Sequence, residues 1–276
     1  MSLPLSGLTV VSLALNLPGP LAAAELREEG ARVIKVEPPA GDPLATLAPR
    51  WYEELHQGVE RHQLDLKTGA GQAALALMLQ EADVLLTSSR PSALKRLGLD
   101  GETLQECYPH LCRLRIVGDT REPDLPGHDL TYQAEAGLLD PRAPAMPRTL
   151  TADMLGSRVA VAAALTLLLG RERGSAERER TVGLGDAARF AALPLTHGLT
   201  APGGILSGTH GTYRLYRTAD GWVAAAPLEE HFARRWQDMF GEDATTTLIC
   251  EPTRYWLELA QSHDLPLVQV PLESAP

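Results

Sequence analysis

Short apolar runs alternate with helix-like segments along the first part of the chain. This alternation is typical of βα units, which build a parallel sheet. The predicted strands are residues 8–13, 32–36, 64–66, 82–86 and 111–117. The predicted helices between them are residues 21–29, 71–80 and 101–107. We therefore expect an α/β fold whose main domain is a Rossmann-like parallel sheet.

A different pattern follows in the second half of the chain. Prolines crowd residues 118–147, which indicates a crossover without long regular elements. A long helix is then expected, with Thr149 or Thr151 as its N-cap, Asp153 in its first turn and an apolar face that runs to Leu169.

A hairpin is predicted within residues 211–226, because Asp220-Gly221 is a strong turn signal between alternating positions. Helical patterns follow at residues 229–240 and 255–262. The expected domains are residues 1–190, with the sheet and the long helix, and a smaller hairpin-containing α+β domain at residues 191–276, which is short for the family described below.

Composition and charge narrow the possible functions. The 276 residues carry a formal net charge of −10 and no long run of Lys and Arg, which disfavours nucleic acid as a partner. The apolar stretch 159–169 is too short to cross a bilayer and predicts a buried helix rather than a membrane protein. The three cysteines form no CxxC pair, and the N-terminal apolar run is broken early, so we expect a cytoplasmic protein with reduced thiols.

Candidate ligand-binding segments follow the predicted strands, because ligands of open α/β sheets gather at the carboxyl ends of the strands. These segments are residues 18–20, 35–39 and 87–91. None of them is a phosphate loop or a GxGxxG fingerprint, which disfavours nucleotide hydrolysis and ordinary dinucleotide binding.

Several short motifs resemble those of the family III CoA-transferases, a family that also contains α-methylacyl-CoA racemases. In chain order they are PLSGLTV at 4–10, VIKVEPP and GD within 33–42, LDLK at 64–67, ADV at 82–84, RP and RLGL within 90–99, PGHDL at 126–130, ADM at 152–154, YRTADG at 216–221 and DLP at 264–266. The resemblance implies an acyl-CoA substrate, coenzyme A as substrate or product, no permanently bound cofactor or metal, and an intertwined homodimer.

Two catalytic schemes are implied by this resemblance, and both use Asp153. A CoA-transferase needs one carboxylate that attacks a thioester. A racemase needs two acid/base groups on either side of the α-carbon. His128, in Gly-His-Asp, and Asp153 match that pair, and Glu229 lies where the acid that supports the histidine would fall. We therefore expect racemase-like proton transfer on a 2-methylacyl-CoA, with CoA transfer as the alternative.

The resemblance also suggests which residues bind the coenzyme. Arg90 and Arg96 suit its phosphates and adenine. Ser88, Ser89, Gly127 and Tyr132 complete the predicted coenzyme-binding set.

Two simpler interpretations remain open at this stage. Where the family usually has a lysine-containing motif, this chain has His-Gln-Gly-Val at 56–59, so a catalytically altered acyl-CoA binding protein is a further alternative. Asp153 could also be only a favourable charge at a helix N-terminus.

Overall fold

The computed structural model describes residues 2–241 and 243–271. The chain divides into two compact units, the first ending at Ala192 and the second beginning at Leu193. Each unit is described by itself below.

The first unit is built on a six-stranded sheet in which every strand pair is parallel. Its strands are β1 (Thr9–Ser12), β2 (Arg32–Glu37), β3 (Glu60–Gln63), β4 (Val84–Thr87), β5 (Cys112–Val117) and β6 (Glu179–Gly183). They lie in the order β3-β2-β1-β4-β5-β6, the order of a doubly wound Rossmann sheet. The predicted α/β fold with a Rossmann-like sheet is confirmed.

Helices cover both faces of this sheet. They are α1 (Pro18–Glu28), α2 (Leu44–Leu47), α3 (Pro49–Leu55), α4 (Gly69–Glu81), α5 (Pro91–Arg96), α6 (Gly101–Cys107), α7 (Asp129–Glu135), α8 (Thr151–Glu172) and α9 (Leu184–Ala191). One core cluster joins the sheet to α1 and α8, and a second joins its other face to α4, α5 and α6. The sheet is therefore packed between two apolar layers.

Several predicted boundaries are wrong, each for a physical reason. The third strand is Glu60–Gln63, not residues 64–66, because an edge strand needs no apolar run and this one is largely exposed. α1 begins at Pro18, three residues before the predicted start, since proline is favoured in the first turn of a helix. β6 was not predicted, because its first three residues are polar and only its end is buried.

The long helix α8 differs from its prediction in its cap and its burial. Its N-cap is Leu150, so neither Thr149 nor Thr151 holds that position. The helix that was expected to be buried is buried on one face only, because Val159, Leu165 and Leu169 are exposed. By length and composition alone, α8 is also long and apolar enough to cross a membrane.

The second unit contains a small antiparallel sheet in the order β7-β8-β9. Its elements are α10 (Leu193–Thr196), β7 (Arg214–Arg217), β8 (Trp222–Ala225), α11 (Glu230–Phe240), α12 (Thr245–Leu248), α13 (Thr253–Ser262) and β9 (Leu267–Gln269). The strands β7 and β8 form the predicted hairpin. Its core is aromatic, with Tyr216, Trp236 and Trp256 packed among aliphatic side chains.

Candidate active site

A cavity of about 210 Å³, named cavity 1 here, opens beside the carboxyl ends of β1, β4 and β5. The strand order reverses between β1 and β4, and such a switch point is where doubly wound sheets bind ligands. The polar side chains in its wall are those of Asn16, Ser88, Arg90, His128, Tyr132 and Asp153. The structure therefore brings both predicted acid/base residues of the first unit, His128 and Asp153, to one cavity.

Asp153 lies in the first turn of α8, and its side chain faces cavity 1 from a half-buried position. Burial disfavours the charged carboxylate and, together with the negative charge of Asp129, raises the pKa of Asp153 to about 7. A carboxyl group with this pKa exchanges a proton readily near neutral pH, as a general acid/base must.

Asp129 supplies the helix cap that the sequence did not reveal. Its buried Oδ1 accepts the backbone N–H of Asp153 at 3.0 Å. The side-chain amide of Gln133 donates both to Asp129 Oδ2 and to the carbonyl oxygen of Thr149, the latter at 3.1 Å. A carboxylate on a first-turn N–H satisfies a donor that has no partner within the helix. Asp129 thus fixes the backbone of Asp153 as well as raising the pKa of its side chain.

His128 is the N-cap residue of α7 and has extended backbone angles. Its N–H donates to Thr131 Oγ1 at 3.1 Å, and that hydroxyl donates to the His128 carbonyl oxygen at 2.8 Å. These two bonds hold the residue at the helix start, while the residue as a whole stays exposed. The imidazole is therefore accessible to a ligand in cavity 1.

Tyr132 packs so closely against two glycines that neither position has room for a side chain. A Cβ on Gly127 would lie 2.5 Å from the Tyr132 ring, and one on Gly118 would lie 2.4 Å from the hydroxyl oxygen. Burial raises the pKa of Tyr132, so its hydroxyl stays a proton donor. The glycines are required here for this close approach to the aromatic side chain.

The predicted coenzyme-binding residues are divided between two cavities. Ser88, Arg90, Gly127 and Tyr132 line cavity 1. Ser89 lines a second cavity of about 400 Å³, named cavity 2 here. Arg96 lines neither cavity and is exposed at the end of α5, so the structure does not bring it to the site.

Cavity 2 has mostly apolar walls and lies beside cavity 1. It is lined by residues that follow β1, β2, β3 and β4, and Leu15 lines both cavities. Lys67 places a cationic side chain in its wall, and Asp65 and Glu37 place anionic ones there. Both cavities therefore lie at the carboxyl ends of the strands and share Leu15 in their walls.

Glu229 belongs to the second unit. It is the exposed N-cap residue of α11, and its side chain makes no cap hydrogen bond with that helix. Its predicted support of His128 stays a prediction.

Sequence reasoning missed a buried ion pair behind cavity 1. Lys35 Nζ lies 2.7 Å from Asp42 Oδ2 and 2.6 Å from the Ala14 carbonyl oxygen. The ligand atoms of Glu37, Asp42 and His56 lie within 4.8 Å of one another, but the Lys35 ammonium already supplies a cation to this cluster. A lysine inside the apolar run of a buried strand was the signal that could have revealed the pair.

Comparisons with known proteins extend the resemblance seen in the sequence. The family model described as CoA-transferase family III matches residues 5–254. Human alpha-methylacyl-CoA racemase is 32% identical over 246 residues, which cover 83% of this chain and 62% of that protein. A cinnamoyl-CoA:phenyllactate CoA-transferase from Clostridium sporogenes is 41% identical over 140 residues, which cover 46% of this chain and 34% of that protein.

A solved structure agrees with the fold. A crystal structure of a protein from Mycobacterium tuberculosis superimposes with a TM-score of 0.82 at 25% identity and covers 96% of this chain and 83% of that one. That protein is described as a probable fatty acyl-CoA transferase and is 30% identical to this chain over 219 residues. The present chain spans from 34% to 62% of the length of these curated relatives.

Proposed function

The chain belongs to CoA-transferase family III, and from that membership we propose that it is an acyl-CoA enzyme that transfers the α-proton of a 2-methylacyl-CoA. The supporting observation is that His128 and Asp153 line the same cavity at the switch point of the sheet. A cytoplasmic location and a homodimeric state remain predictions from the sequence.

In this proposal the coenzyme occupies both neighbouring cavities, which share Leu15 in their walls. The apolar walls of cavity 2 suit an adenine ring. The side chains of Lys67 and Arg90 can neutralise phosphate groups. The acyl thioester then extends past Leu15 into cavity 1, where Asp153 and His128 lie.

The reaction needs one group that takes the α-proton and one that returns a proton to the other face. The first group removes the proton and leaves an enolate on the thioester, and the second delivers its own proton to the α-carbon. Asp153, whose pKa is about 7, is populated in both protonation states near neutral pH. It can therefore act as base in one direction and as acid in the other, with His128 in the complementary state.

CoA transfer through Asp153 is the second candidate, and the similarity to the Clostridium sporogenes transferase favours it. In that scheme the Asp153 carboxylate attacks the thioester carbonyl, forms a mixed anhydride and releases the CoA thiolate. The attacking group must be ionised, and a pKa of about 7 leaves roughly half of the carboxyl protonated at pH 7. The raised pKa of Asp153 therefore reduces the fraction of nucleophilic carboxylate at neutral pH.

Deuterium incorporation from D₂O at the α-carbon of a 2-methylacyl-CoA tests the proposal, with mass spectrometry as the readout. We expect exchange by the unmodified protein and a loss of about 10²–10⁴-fold in His128→Ala and in Asp153→Asn. His110→Ala is the matched control, because His110 is an exposed histidine that does not line cavity 1.

A parallel assay follows a labelled carboxylic acid into thioester. Transfer without exchange contradicts the proposal and supports the transferase scheme. Neither exchange nor transfer, with CoA binding still detected by calorimetry, contradicts both schemes and supports an acyl-CoA binding protein.

A further inference from the structure

The loop that follows β1, residues 13–17, has an unusual backbone at the wall of cavity 1. Asn16 has φ of +65°, in the left-handed region that few residues other than glycine adopt. Asparagine adopts this conformation more readily than most residues do, but the conformation is still uncommon in residues other than glycine. Residues held in this conformation cluster at functional sites when surrounding contacts impose it.

Four side chains form hydrogen bonds with the backbone of this loop. The N–H of Asn16 donates to Asp42 Oδ1 at 2.9 Å, and the N–H of Leu15 donates to Ser88 Oγ at 2.9 Å. Lys35 Nζ donates to the carbonyl oxygen of Ala14, and the N–H of Ala14 donates to Ser12 Oγ at 3.4 Å. Three of these four hydrogen bonds join residues at least 21 positions apart, so contacts that form only in the folded chain hold the loop.

The Lys35–Asp42 pair is the costly part of this arrangement. Both side chains are almost completely buried, and burial lowers the pKa of Lys35. Burying two charges is expensive, and a well-packed apolar pair is often no less stable. A gain in positioning accounts for the pair better than a gain in stability, because its hydrogen bonds end on the backbone of residues 14 and 16.

Among residues 13–17, Asn16 is the residue with a polar side chain. Asn16 is exposed and lines cavity 1, and its carboxamide makes no hydrogen bond with any residue in the described part of the chain. No carboxylate among the described residues lies within ion-pair distance of Arg90, which lines the same cavity. A hydrocarbon group placed against Asn16 would strip water from the carboxamide and leave it unpaired, at a cost of about 1–3 kcal/mol. An oxygen substituent would pair with it.

We propose that Asn16 is a specificity-determining residue whose carboxamide binds an oxygen substituent, hydroxyl or carboxylate, on the acyl group of the substrate. This inference rests on the proposed acyl-CoA function and adds a substrate class to it. The acyl groups that fit carry an oxygen substituent and are not purely hydrocarbon.

Equilibrium binding tests the inference without requiring turnover. Calorimetry compares 2-methylbutanoyl-CoA with 3-hydroxy-2-methylbutanoyl-CoA and with 2-methylsuccinyl-CoA. We expect at least one oxygenated ligand to bind about tenfold more tightly than the hydrocarbon ligand, as one net hydrogen bond provides. Asn16→Gly keeps the left-handed backbone accessible and removes the carboxamide. In this variant the ratio of the two affinities should fall to about one, while the affinity for CoA itself stays unchanged.

Asn16→Asp distinguishes the two oxygen groups. Aspartate also tolerates the left-handed region, accepts a hydrogen bond from a hydroxyl and repels a carboxylate. If the substituent is a hydroxyl, Asn16→Asp still binds the hydroxylated ligand more tightly than the hydrocarbon ligand. If the substituent is a carboxylate, Asn16→Asp binds the carboxylated ligand more weakly than the hydrocarbon ligand. Equal binding of all three ligands by the unmodified protein, or a preference that Asn16→Gly retains, overturns the inference. These outcomes are separate from a failure of proton exchange, which concerns the proposed reaction alone.

Discussion

Replacing Asp153 with asparagine is expected to stabilise the protein at alkaline pH, which is the opposite of what loss of a helix-terminal charge would do. In the folded protein the pKa of Asp153 is about 7, against an ordinary value of 3.8. Folding therefore favours the protonated carboxyl, and Asn is a neutral group of nearly the same shape. The substitution removes the cost of holding a charge in this half-buried position.

The magnitude follows from proton linkage. The pKa of Asp153 lies about three pH units above its ordinary value. Since each pH unit corresponds to about 1.4 kcal/mol, the folded protein favours the protonated carboxyl over the ionised one by about 4 kcal/mol more than the unfolded chain does. Because the folded pKa is raised, this contribution to stability is fully present below about pH 4 and is lost as the pH rises to about 7. We expect the free energy of unfolding of Asp153→Asn to be about 2–4 kcal/mol larger than that of the unmodified protein at pH 8. Near pH 3.5 the two free energies should be equal.

Urea unfolding followed by circular dichroism at pH 3.5, 6 and 8 measures this difference. Glu102→Gln is the control, because Glu102 is an exposed acidic residue in the first turn of α6. Asp129→Asn removes the neighbouring charge that raises the pKa of Asp153, so the gain from Asp153→Asn should be smaller in that background. If Asp153→Asn instead lowers the free energy of unfolding by about 0.5–1 kcal/mol at pH 8, the reasoning is refuted. Asp153 would then be a favourable charge at a helix N-terminus.

The other predictions concern the walls of cavity 1. Gly127→Ala places a Cβ 2.5 Å from the Tyr132 ring and should destabilise the protein by about 1–3 kcal/mol in thermal denaturation. That loss should shrink in a Tyr132→Ala background, and equal losses in both backgrounds would contradict the close contact. Arg90→Ala should weaken CoA binding about tenfold in calorimetry, because Arg90 lines the cavity and a phosphate contact is charge-assisted. Arg96→Ala should leave CoA affinity unchanged. A loss of affinity in Arg96→Ala without one in Arg90→Ala would show that the coenzyme lies elsewhere.

Three features of the site depend on residues that are distant in the sequence. The cap of α8 comes from Asp129, 24 positions before Asp153, and no local pattern around Thr149 or Thr151 reveals it. The ammonium of Lys35 meets the carbonyl of Ala14, 21 positions away, and left-handed Asn16 depends on Asp42, 26 positions away. The helix and strand propensities of neighbouring residues cannot predict contacts that form only when the strands have assembled.

The sequence by itself determined the architecture and the identity of the acid/base candidates. Alternating apolar runs have one favourable arrangement, a buried parallel sheet covered by helices, so the βα order and the fold class were readable from the pattern. The Gly-His-Asp motif and the first-turn aspartate likewise indicated His128 and Asp153.

Only the tertiary structure decided which of these residues share an environment. It brought His128 and Asp153 to one cavity and left Arg96 outside it. It also raised the pKa of Asp153 to about 7, through burial and the approach of Asp129. The physical reason is that desolvation and charge–charge interaction depend on distances in space, whereas the pattern of the chain encodes the strands and helices that set those distances.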